Sequence, residues 1–217
     1  MKIRAVVFDL DGVLFDACNL HYEALNRALD QAGFEPISEE HHHGRFDGLP
    51  TSTKLKMLGI DQDDLAKRVW KFKQRATGEM LREVVKVDTG VVALLQGLRD
   101  RGYKLACASN SIRMSVDHMV IGVGAAPFME FTLSNEDIEN PKPHPDIYLE
   151  ACRRLSLEPN EVLVVEDNIN GQRACLEAGC RLCIVKNTTE VTIERVLGSI
   201  RDHESVGDFV PSPGRHQ

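Results

Sequence analysis

The sequence of 217 residues contains no long apolar run. No stretch approaches the roughly 18 consecutive apolar residues of a membrane-spanning helix. The chain also has no excess of positive charge, since its formal net charge is −7. These absences argue against a membrane protein and against a general binding surface for nucleic acid or anionic lipid. Any phosphate that the protein binds must therefore be held by local positive groups.

Patterns of secretion, repetition and metal binding through cysteine are absent as well. The chain runs directly into an apolar strand without a signal-peptide pattern, so we expect a cytoplasmic protein. There is no internal repeat and no low-complexity tract. Cys180 and Cys183 form one C-x-x-C pair with no second pair or histidine partner nearby in sequence. The six cysteines are therefore expected to be reduced, mostly buried thiols.

What the chain does contain begins with an apolar run, residues 3–8, that ends in Asp9-Leu10-Asp11-Gly12. Such a run predicts a strand buried on both faces of a parallel sheet. The two-residue period of a strand puts Asp9 and Asp11 on the same side, and Gly12 lets the backbone turn away. Two adjacent carboxylates repel each other unless a cation lies between them, and Mg²⁺ prefers oxygen ligands. The motif alone is equally compatible with an ordinary turn.

The residues after this strand predict helices and no second strand up to about residue 86. Apolar residues at helical spacing predict a helix over 20–32 that Gly33 ends, and a loop is expected over 44–50. Further helices are predicted over about 51–58 and 61–85. An insertion of roughly 70 residues is too long for a simple crossover and predicts a small helical cap.

From residue 90 the pattern changes to alternating helices and strands. Strands are predicted over 103–108, 131–133, 161–165 and 182–185, and helices over 91–102, from 112, over 146–155 and over 171–178. Five parallel strands with helices on both faces predict a Rossmann-like α/β core. We expect residues 1–16 and 87–217 to form this core and residues 17–86 to form the all-α cap. The tail from Ser205 is expected to be a loose end.

Polar residues follow three of the predicted strands at their carboxyl ends, where parallel sheets bind ligands. Each pair has an ordinary explanation by itself, as a turn, a helix start or a solvated side chain. Their occurrence together, with a lysine in a proline-rich segment, favours a real site. The residues concerned are Asp9 and Asp11, Ser109 and Asn110, Glu166 and Asp167, and Lys142.

Four segments in this order resemble the four motifs of the haloacid dehalogenase-like (HAD) superfamily. They are residues 8–13, 108–110, 141–148 and 165–171. The position of the cap and the Lys-Pro-x-Pro-Asp segment at 142–146 are similar to the subfamily of β-phosphoglucomutase, phosphoglycolate phosphatase and related sugar-phosphate phosphatases. The resemblance spans nearly the whole predicted fold.

The resemblance implies a role for each site residue. Asp9 would be the nucleophile that forms an aspartyl-phosphate. Asp11 would protonate the leaving oxygen and then activate water, with its pKa raised toward neutrality by neighbouring carboxylates. Ser109, Asn110 and Lys142 would bind the phosphoryl group.

The resemblance also implies a metal site. Mg²⁺ would be held by the Asp9 carboxylate, the Asp11 backbone carbonyl and Asp167, with Glu166 as an additional or outer ligand. Without a cation, an anionic nucleophile would face an anionic phosphate.

The cap departs from the family pattern at one point. Mutases carry a basic residue in the cap loop that grips a second phosphate, whereas residues 47–51 contain no arginine. This departure favours plain hydrolysis. Residues 41–43 and Arg45 precede the loop, and we expect a solvated run. His21 is placed like a cap histidine that contributes to substrate binding in the subfamily, although a partly buried helix histidine is an equal alternative.

The sequence therefore predicts a monomeric, Mg²⁺-dependent phosphatase that acts on a small phosphate ester, such as a sugar phosphate or phosphoglycolate, and binds neither nucleic acid nor membrane. Three alternatives remain. A β-phosphoglucomutase-like mutase would need a bisphosphate. A dehalogenase would have no leaving oxygen for Asp11 to protonate. A non-catalytic phosphate-binding protein would be expected to lack one of the catalytic residues.

Overall fold

The computed structural model describes residues 2–206. Five parallel strands form one sheet in the order β3-β2-β1-β4-β5. The strands are β1 (Ala5–Phe8), β2 (Lys104–Ala108), β3 (Phe131–Leu133), β4 (Val162–Glu166) and β5 (Arg181–Ile184). The first strand lies at the centre, because Val6 pairs with Leu105 on one side and with Leu163 on the other. The carboxyl ends of β2, β1 and β4 therefore lie side by side.

Nine α-helices connect or follow these strands within residues 2–206. They are α1 (Cys18–Gln31), α2 (Glu39–Arg45), α3 (Thr51–Met57), α4 (Asp63–Val84), α5 (Thr89–Asp100), α6 (Arg113–Gly122), α7 (Asp146–Leu155), α8 (Ile169–Glu177) and α9 (Ile193–Val206). The predicted α/β class and all five predicted strands are confirmed.

Helices cover both faces of the sheet, as the uninterrupted apolar strands predicted. Val6 and Phe8 of β1 point into one apolar cluster, shared with α5, α6 and α9. Ala5 and Val7 point to the opposite face, where α7 and α8 supply the partners. Because the side chains of a strand alternate between faces, four consecutive apolar residues are what a doubly covered strand requires.

Four helices, α1 to α4, follow β1 before the second strand begins. They enclose a separate apolar cluster that includes Leu25, Leu29, Phe46, Leu55 and Val69. The long helix α4 packs along α1. This arrangement agrees with the predicted helical cap, and the boundaries at residues 16/17 and 86/87 remain a prediction.

Two segments differ from the sequence-based expectation. Residues 39–45 form α2, so Gly44 is helical and the loop is confined to residues 46–50, here called the cap loop. Ser38 starts this helix, because its hydroxyl accepts a hydrogen bond from the His41 amide at 3.1 Å. At the other end, Ser205 belongs to α9 and is no loose end, because Val196 and Ile200 anchor that helix in the core. The rest of the expected tail, residues 207–217, lies outside the described residues.

The cysteines agree with the predicted reduced thiols. All six cysteines are unpaired, and every one except Cys18 is buried. Within residues 2–206 no helix combines the length and the apolar character needed to cross a membrane.

The central position of the β4 residue Leu163 leads to a stability prediction. Leu163 is fully buried next to β1, so Leu163→Ala should lower the free energy of unfolding by about 2–5 kcal/mol. Leu149→Ala on α7 is the control, because Leu149 is 45% exposed and its loss should change stability by less than about 0.5 kcal/mol. Urea denaturation followed by circular dichroism measures both. Equal effects of the two substitutions would contradict the assigned core.

Candidate active site

Polar side chains gather at the carboxyl ends of three neighbouring strands. Asp9 and Asp11 follow β1, Ser109 follows β2, and Glu166 ends β4 with Asp167 after it. Because β1 lies between β2 and β4, these strand ends share one edge of the sheet. Open parallel sheets bind their ligands at this edge.

The ammonium group of Lys142 lies against the carboxylate of Asp9. Lys142 Nζ is 2.5 Å from Asp9 Oδ1 and also donates to the Ala108 carbonyl at 3.0 Å and to Glu166 Oε1 at 3.2 Å. Asp9 and Lys142 are only 6% and 3% exposed. The Tyr148 ring lies 4.9 Å from the same nitrogen. The proline-rich segment, residues 141–145, therefore places a cation next to Asp9, the predicted nucleophile.

Burial sets the protonation of this group of charges. It raises the pKa of Asp9 to about 6, an effect that Asp11 reinforces and Lys142 opposes. Burial would lower the pKa of Lys142, but the charges of Asp9 and Glu166 hold that pKa well above its ordinary value. Burial together with the Asp9 charge raises the pKa of Asp167 to about 7. Lys142 alone therefore does not neutralise the negative charge of the acidic groups.

Asp11 accepts hydrogen bonds through both carboxylate oxygens. His21 Nε2 lies 3.0 Å from Oδ1, and the hydroxyls of Ser111 and Ser109 lie 3.0 and 3.4 Å from Oδ2. Burial by itself would raise the pKa of Asp11, but the hydrogen bonds from His21 and Ser111 and the positive charge of Lys73 hold it below its ordinary value. The expectation that carboxylates raise this pKa is therefore wrong, because hydrogen-bond donors surround Asp11.

His21 connects Asp11 to the cap. Its Nδ1 lies 3.2 Å from Lys73 Nζ on α4, while its Nε2 contacts Asp11. Because an ammonium only donates and a carboxylate only accepts, we assign the proton of neutral His21 to Nε2. His21 thus faces the site, and its contribution to substrate binding remains a prediction.

Three carboxylates form a cluster that suits a divalent cation. One oxygen from each of Asp9, Glu166 and Asp167 lies within 4.8 Å of the others. The buried Oδ1 of Asp167 has no hydrogen-bond partner among the described residues. Gly12, with a φ of +82°, makes room for Asp167, because a Cβ there would lie 2.0 Å from Asp167 Oδ2. Hard oxygen ligands with a partnerless carboxylate oxygen fit Mg²⁺ or a similar ion.

Glu166 has a different position in this cluster. Its Oε1 accepts from Lys142 and its Oε2 accepts from the Asp167 amide at 3.1 Å. Both oxygens are thus engaged, which favours the outer of its two predicted roles. Gly171 packs directly against it, because a Cβ there would lie 1.4 Å from Oε1.

Asn110 joins three segments around the site. Its amide donates to the Gly48 carbonyl at 3.0 Å and to the Lys142 carbonyl at 3.1 Å, and its Oδ1 accepts from the Lys142 amide at 2.9 Å. A second bond, from Asn168 Nδ2 to Asp47 Oδ2 at 3.4 Å, also ties the cap loop to the core. The side chain of Asn110 is therefore occupied in holding the walls together, and its predicted phosphate contact remains a prediction.

A cavity of about 320 Å³ lies between the strand ends and the cap. The cap lines it with Trp70 and with two buried lysines, Lys54 on α3 and Lys73 on α4, which are 5% and 6% exposed. Residues 47–51 contain no arginine, and the departure from the mutase pattern stands. Lys54 nevertheless places a cation in the cavity wall from the helix that follows the cap loop.

The histidines before the cap loop differ from one another. Residues 41–43 and Arg45 were expected to be solvated, yet His42 is completely buried. Its ring packs against Tyr22 and Phe46 at centroid distances of 5.5 and 6.5 Å. Arg45 is exposed, as expected. His42 is buried because it lies on the face of α2 that packs toward the apolar cluster enclosed by α1 to α4.

Sequence reasoning missed three residues of the site. Ser111 lies two positions after Ser109, where the period of a strand already indicated the same side. Lys73 lies on the buried face of α4 with Val69 and Met80, at helical spacing. No comparable pattern indicated Lys54, because buried lysines are rare and helical spacing alone does not distinguish a core position from a cavity wall.

The fold and these residues agree with one family. A family model of haloacid dehalogenase-like hydrolases matches residues 6–185, so the chain belongs to this family of enzymes. A phosphorylated carbohydrates phosphatase from Thermotoga maritima is 29% identical over 182 residues, which cover 82% of each chain. A phosphoglycolate phosphatase from Nitrosospira multiformis is 26% identical over 190 residues, covering 85% of this chain and 84% of that relative. The predicted family is confirmed.

Among solved structures, the β-phosphoglucomutase of Clostridium difficile superposes with a TM-score of 0.81. The match covers 94% of this chain and 100% of that one at 19% sequence identity. At this identity the likeness establishes the fold alone. The predicted core with an inserted helical segment is thus shared with a known structure.

The buried ammonium of Lys73 leads to a pH-dependent stability prediction. Burial lowers the pKa of Lys73 to about 7 from 10.5. Between these pH values the unfolded chain binds the proton that the folded chain has released, so this residue's contribution to stability rises with pH over that window. The free-energy cost of burying the Lys73 ammonium group is therefore largest below pH 7.

Lys73→Met removes a buried charge, so it should stabilise the protein most at a pH where that lysine is protonated. We expect the melting temperature of Lys73→Met minus that of the parent to be higher at about pH 6 than at about pH 9.5. Lys71→Met on the same helix is the control, because Lys71 is exposed and should show no such pH dependence. Differential scanning calorimetry measures both. A pH-independent difference for Lys73→Met would contradict the assigned burial of a charge.

Proposed function

We propose that the protein is a phosphatase that depends on a divalent cation and hydrolyses a small phosphomonoester through an aspartyl-phosphate on Asp9. The observation that carries the proposal is the buried pair of Asp9 and Lys142 beside Asp11, in the wall of a cavity of about 320 Å³. Relatives named as phosphatases of phosphoglycolate and of phosphorylated carbohydrates support a sugar phosphate or phosphoglycolate-like ester.

The cation site in this proposal uses the carboxylates of Asp9 and Asp167 and the backbone carbonyl of Asp11, with Glu166 as an outer group. The partnerless Oδ1 of Asp167 supports this assignment. A bound Mg²⁺ would supply positive charge that keeps these carboxylates ionised and reduces their repulsion of the phosphate.

Asp9 is the nucleophile. Its carboxylate oxygen would attack phosphorus as the bond from phosphorus to the leaving oxygen breaks. Lys142 is placed to keep Asp9 in one rotamer and to offset the negative charge on the phosphoryl oxygens, and Ser109 adds a hydroxyl donor. Because Lys142 is itself fixed by Ala108 and Glu166, little reorganisation is needed during the reaction.

Asp11 and His21 together handle the proton. Asp11 is ionised in the resting site, where His21 Nε2 supplies its hydrogen bond at 3.0 Å. The proton for the leaving oxygen would reach Asp11 from His21 Nε2 while the ammonium group of Lys73 gives a proton to His21 Nδ1. The same carboxylate would then accept a proton from the attacking water, and the reverse transfer through His21 would return a proton to Lys73. This replaces the simpler idea of an isolated Asp11 with a raised pKa.

The rival functions have weaker support. A halide leaves without a proton, so a dehalogenase would have no use for the donor-surrounded Asp11. A non-catalytic phosphate-binding protein would not need the complete set of Asp9, Asp11, Lys142 and Asp167. A phosphomutase would need a second site for an anion. Because Lys54 places a second cation in the cavity wall, a phosphomutase is the alternative function to test. A monomeric state and a cytoplasmic location remain predictions.

Replacement of the nucleophile is the central test. Asp9→Asn should lower kcat/KM for p-nitrophenyl phosphate by on the order of 10³-fold or more, because the amide cannot form the acyl phosphate. Asp30→Asn on α1 is the matched control, since Asp30 is an exposed carboxylate that should be dispensable. Retention of parental activity by Asp9→Asn would refute the proposed mechanism.

Removal of the cation provides a second test. Treatment with EDTA should abolish hydrolysis, and added Mg²⁺ should restore it. Asp167→Asn should raise the Mg²⁺ concentration for half-maximal activity at least about tenfold, because it removes one anionic ligand. Undiminished hydrolysis by EDTA-treated protein would show that the acidic cluster serves another purpose.

A further inference from the structure

Two buried thiols outside the active site lie in contact with each other. Cys152 Sγ on α7 is 3.6 Å from the Sγ of Cys180, the residue that directly precedes β5. The two side chains are 3% and 5% exposed, and both belong to the apolar cluster that α7 and α8 form with one face of the sheet. The proposed phosphatase chemistry uses neither thiol.

The C-x-x-C pair of the sequence, Cys180 and Cys183, is divided by the sheet. Because the side chains of a strand alternate between faces, positions three residues apart point to opposite sides. Cys183 accordingly packs into the apolar cluster on the other face, whereas Cys180 packs with Cys152. The thiol that Cys180 contacts therefore lies 28 positions earlier in the chain, outside the C-x-x-C motif.

Backbone hydrogen bonds fix both cysteines in this position. The carbonyl of Cys152, near the end of α7, accepts from the Leu157 amide at 3.1 Å. The Cys180 amide donates to the Cys175 carbonyl, also at 3.1 Å, just after the end of α8. The sulfurs of a disulfide lie about 2.0 Å apart, so the gap that remains is about 1.5 Å, which small side-chain rotations can close.

The contact also makes the two thiols chemically different. A hydrogen bond from Cys180 lowers the pKa of Cys152, although burial opposes this effect. The same hydrogen bond together with burial raises the pKa of Cys180. Because the thiolate is the nucleophilic form of cysteine, Cys152 is the sulfur that reacts first. Cys175, a third thiol of this cluster, does not compete, because burial and the charge of Glu166 raise its pKa to about 12.

We propose that Cys152 and Cys180 form a redox modification site, at which hydrogen peroxide or a related hydroperoxide converts the two thiols into a disulfide. The thiolate of Cys152 attacks one oxygen of hydrogen peroxide as the O–O bond breaks, which gives a sulfenic acid and hydroxide. The hydroxide takes up the proton that Cys152 released on ionisation.

The second step closes the bond between the two sulfurs. The sulfur of Cys180 attacks the sulfenic sulfur of Cys152, the S–S bond forms, and the S–O bond breaks. The proton of the Cys180 thiol leaves with the departing oxygen as water. Two thiols and one hydrogen peroxide thus give one disulfide and two water molecules, and the protein loses two electrons.

The new bond would lie away from the active site. Cys180 precedes β5 and therefore lies toward the amino ends of the parallel strands, whereas Asp9 and Asp167 lie at the carboxyl ends. The bond would close a loop, residues 152–180, that contains β4. A covalent link across such a loop restricts the unfolded chain and so stabilises the folded one. Oxidation at this site therefore strengthens the core and leaves the groups around Asp9 in place.

Peptide mapping of the folded protein tests the proposal. Reduced protein is freed of reductant, treated with equimolar hydrogen peroxide at neutral pH and desalted. Free thiols are then blocked with N-ethylmaleimide in urea before digestion without reductant. Trypsin leaves Cys152 in residues 114–153 and leaves Cys175 and Cys180 together in residues 174–181. Cys175→Ala is therefore the matched control, because it removes a buried cysteine of the same cluster and leaves one thiol in the second peptide.

We expect mass spectrometry to find these two peptides linked in the parent and in Cys175→Ala, with the link lost on reduction. Neither Cys152→Ala nor Cys180→Ala should form it. Oxidation should raise the melting temperature of the parent and of Cys175→Ala by at least about 5 °C, because the link spans 28 positions. Oxidation should not raise the melting temperature of the other two variants.

Three results would overturn the proposal. They are a parent protein in which Cys152 and Cys180 are not linked after treatment, a link that forms only when urea is present during oxidation, and a linked protein that melts no higher than the reduced one. The parent protein alone supplies all three readouts, so a variant that fails to fold does not obscure the outcome. None of the readouts depends on hydrolysis of a phosphate ester, so this proposal and the proposed function are tested separately.

Discussion

The ion pair between Lys142 and Asp9 joins two segments that lie 133 residues apart in sequence. It forms only because the sheet places β1 between β2 and β4, so that Ala108 and Glu166 can hold the ammonium group from both sides. Each of these acceptors is buried, and removal of the lysine would leave carboxylates facing one another without a cation. The geometry of the site thus depends on the packing of the whole core.

Charge is distributed unequally between the two walls of the cavity. The strand ends carry an excess of carboxylates, which Lys142 balances only in part, whereas the cap contributes buried lysines and histidines. The two walls therefore present charge of opposite sign to a ligand in the cavity.

Much of the fold and the strand-end site followed from the sequence, because local patterns encode them. The strand β1 and the acidic pair after it could be predicted from residues 3–12 alone. The order of the polar residues that follow the other strands then predicted the site. The pKa of Asp11 did not follow, since it depends on His21 and Ser111, which only the folded chain brings within 3.0 Å. Lys54 was missed because burial of lysine contradicts the usual pattern. The helix α2 was missed although Ser38 and Glu39 carry ordinary start signals.

The side chain of Asn110 has a consequence for the way in which ligands enter. It grips the Gly48 carbonyl of the cap loop and both backbone polar groups of Lys142 at once. Any outward movement of the cap loop must break the first of these bonds, and the same amide group also donates to the Lys142 carbonyl. One side chain therefore couples the position of the cap loop to the segment that carries the partner of Asp9.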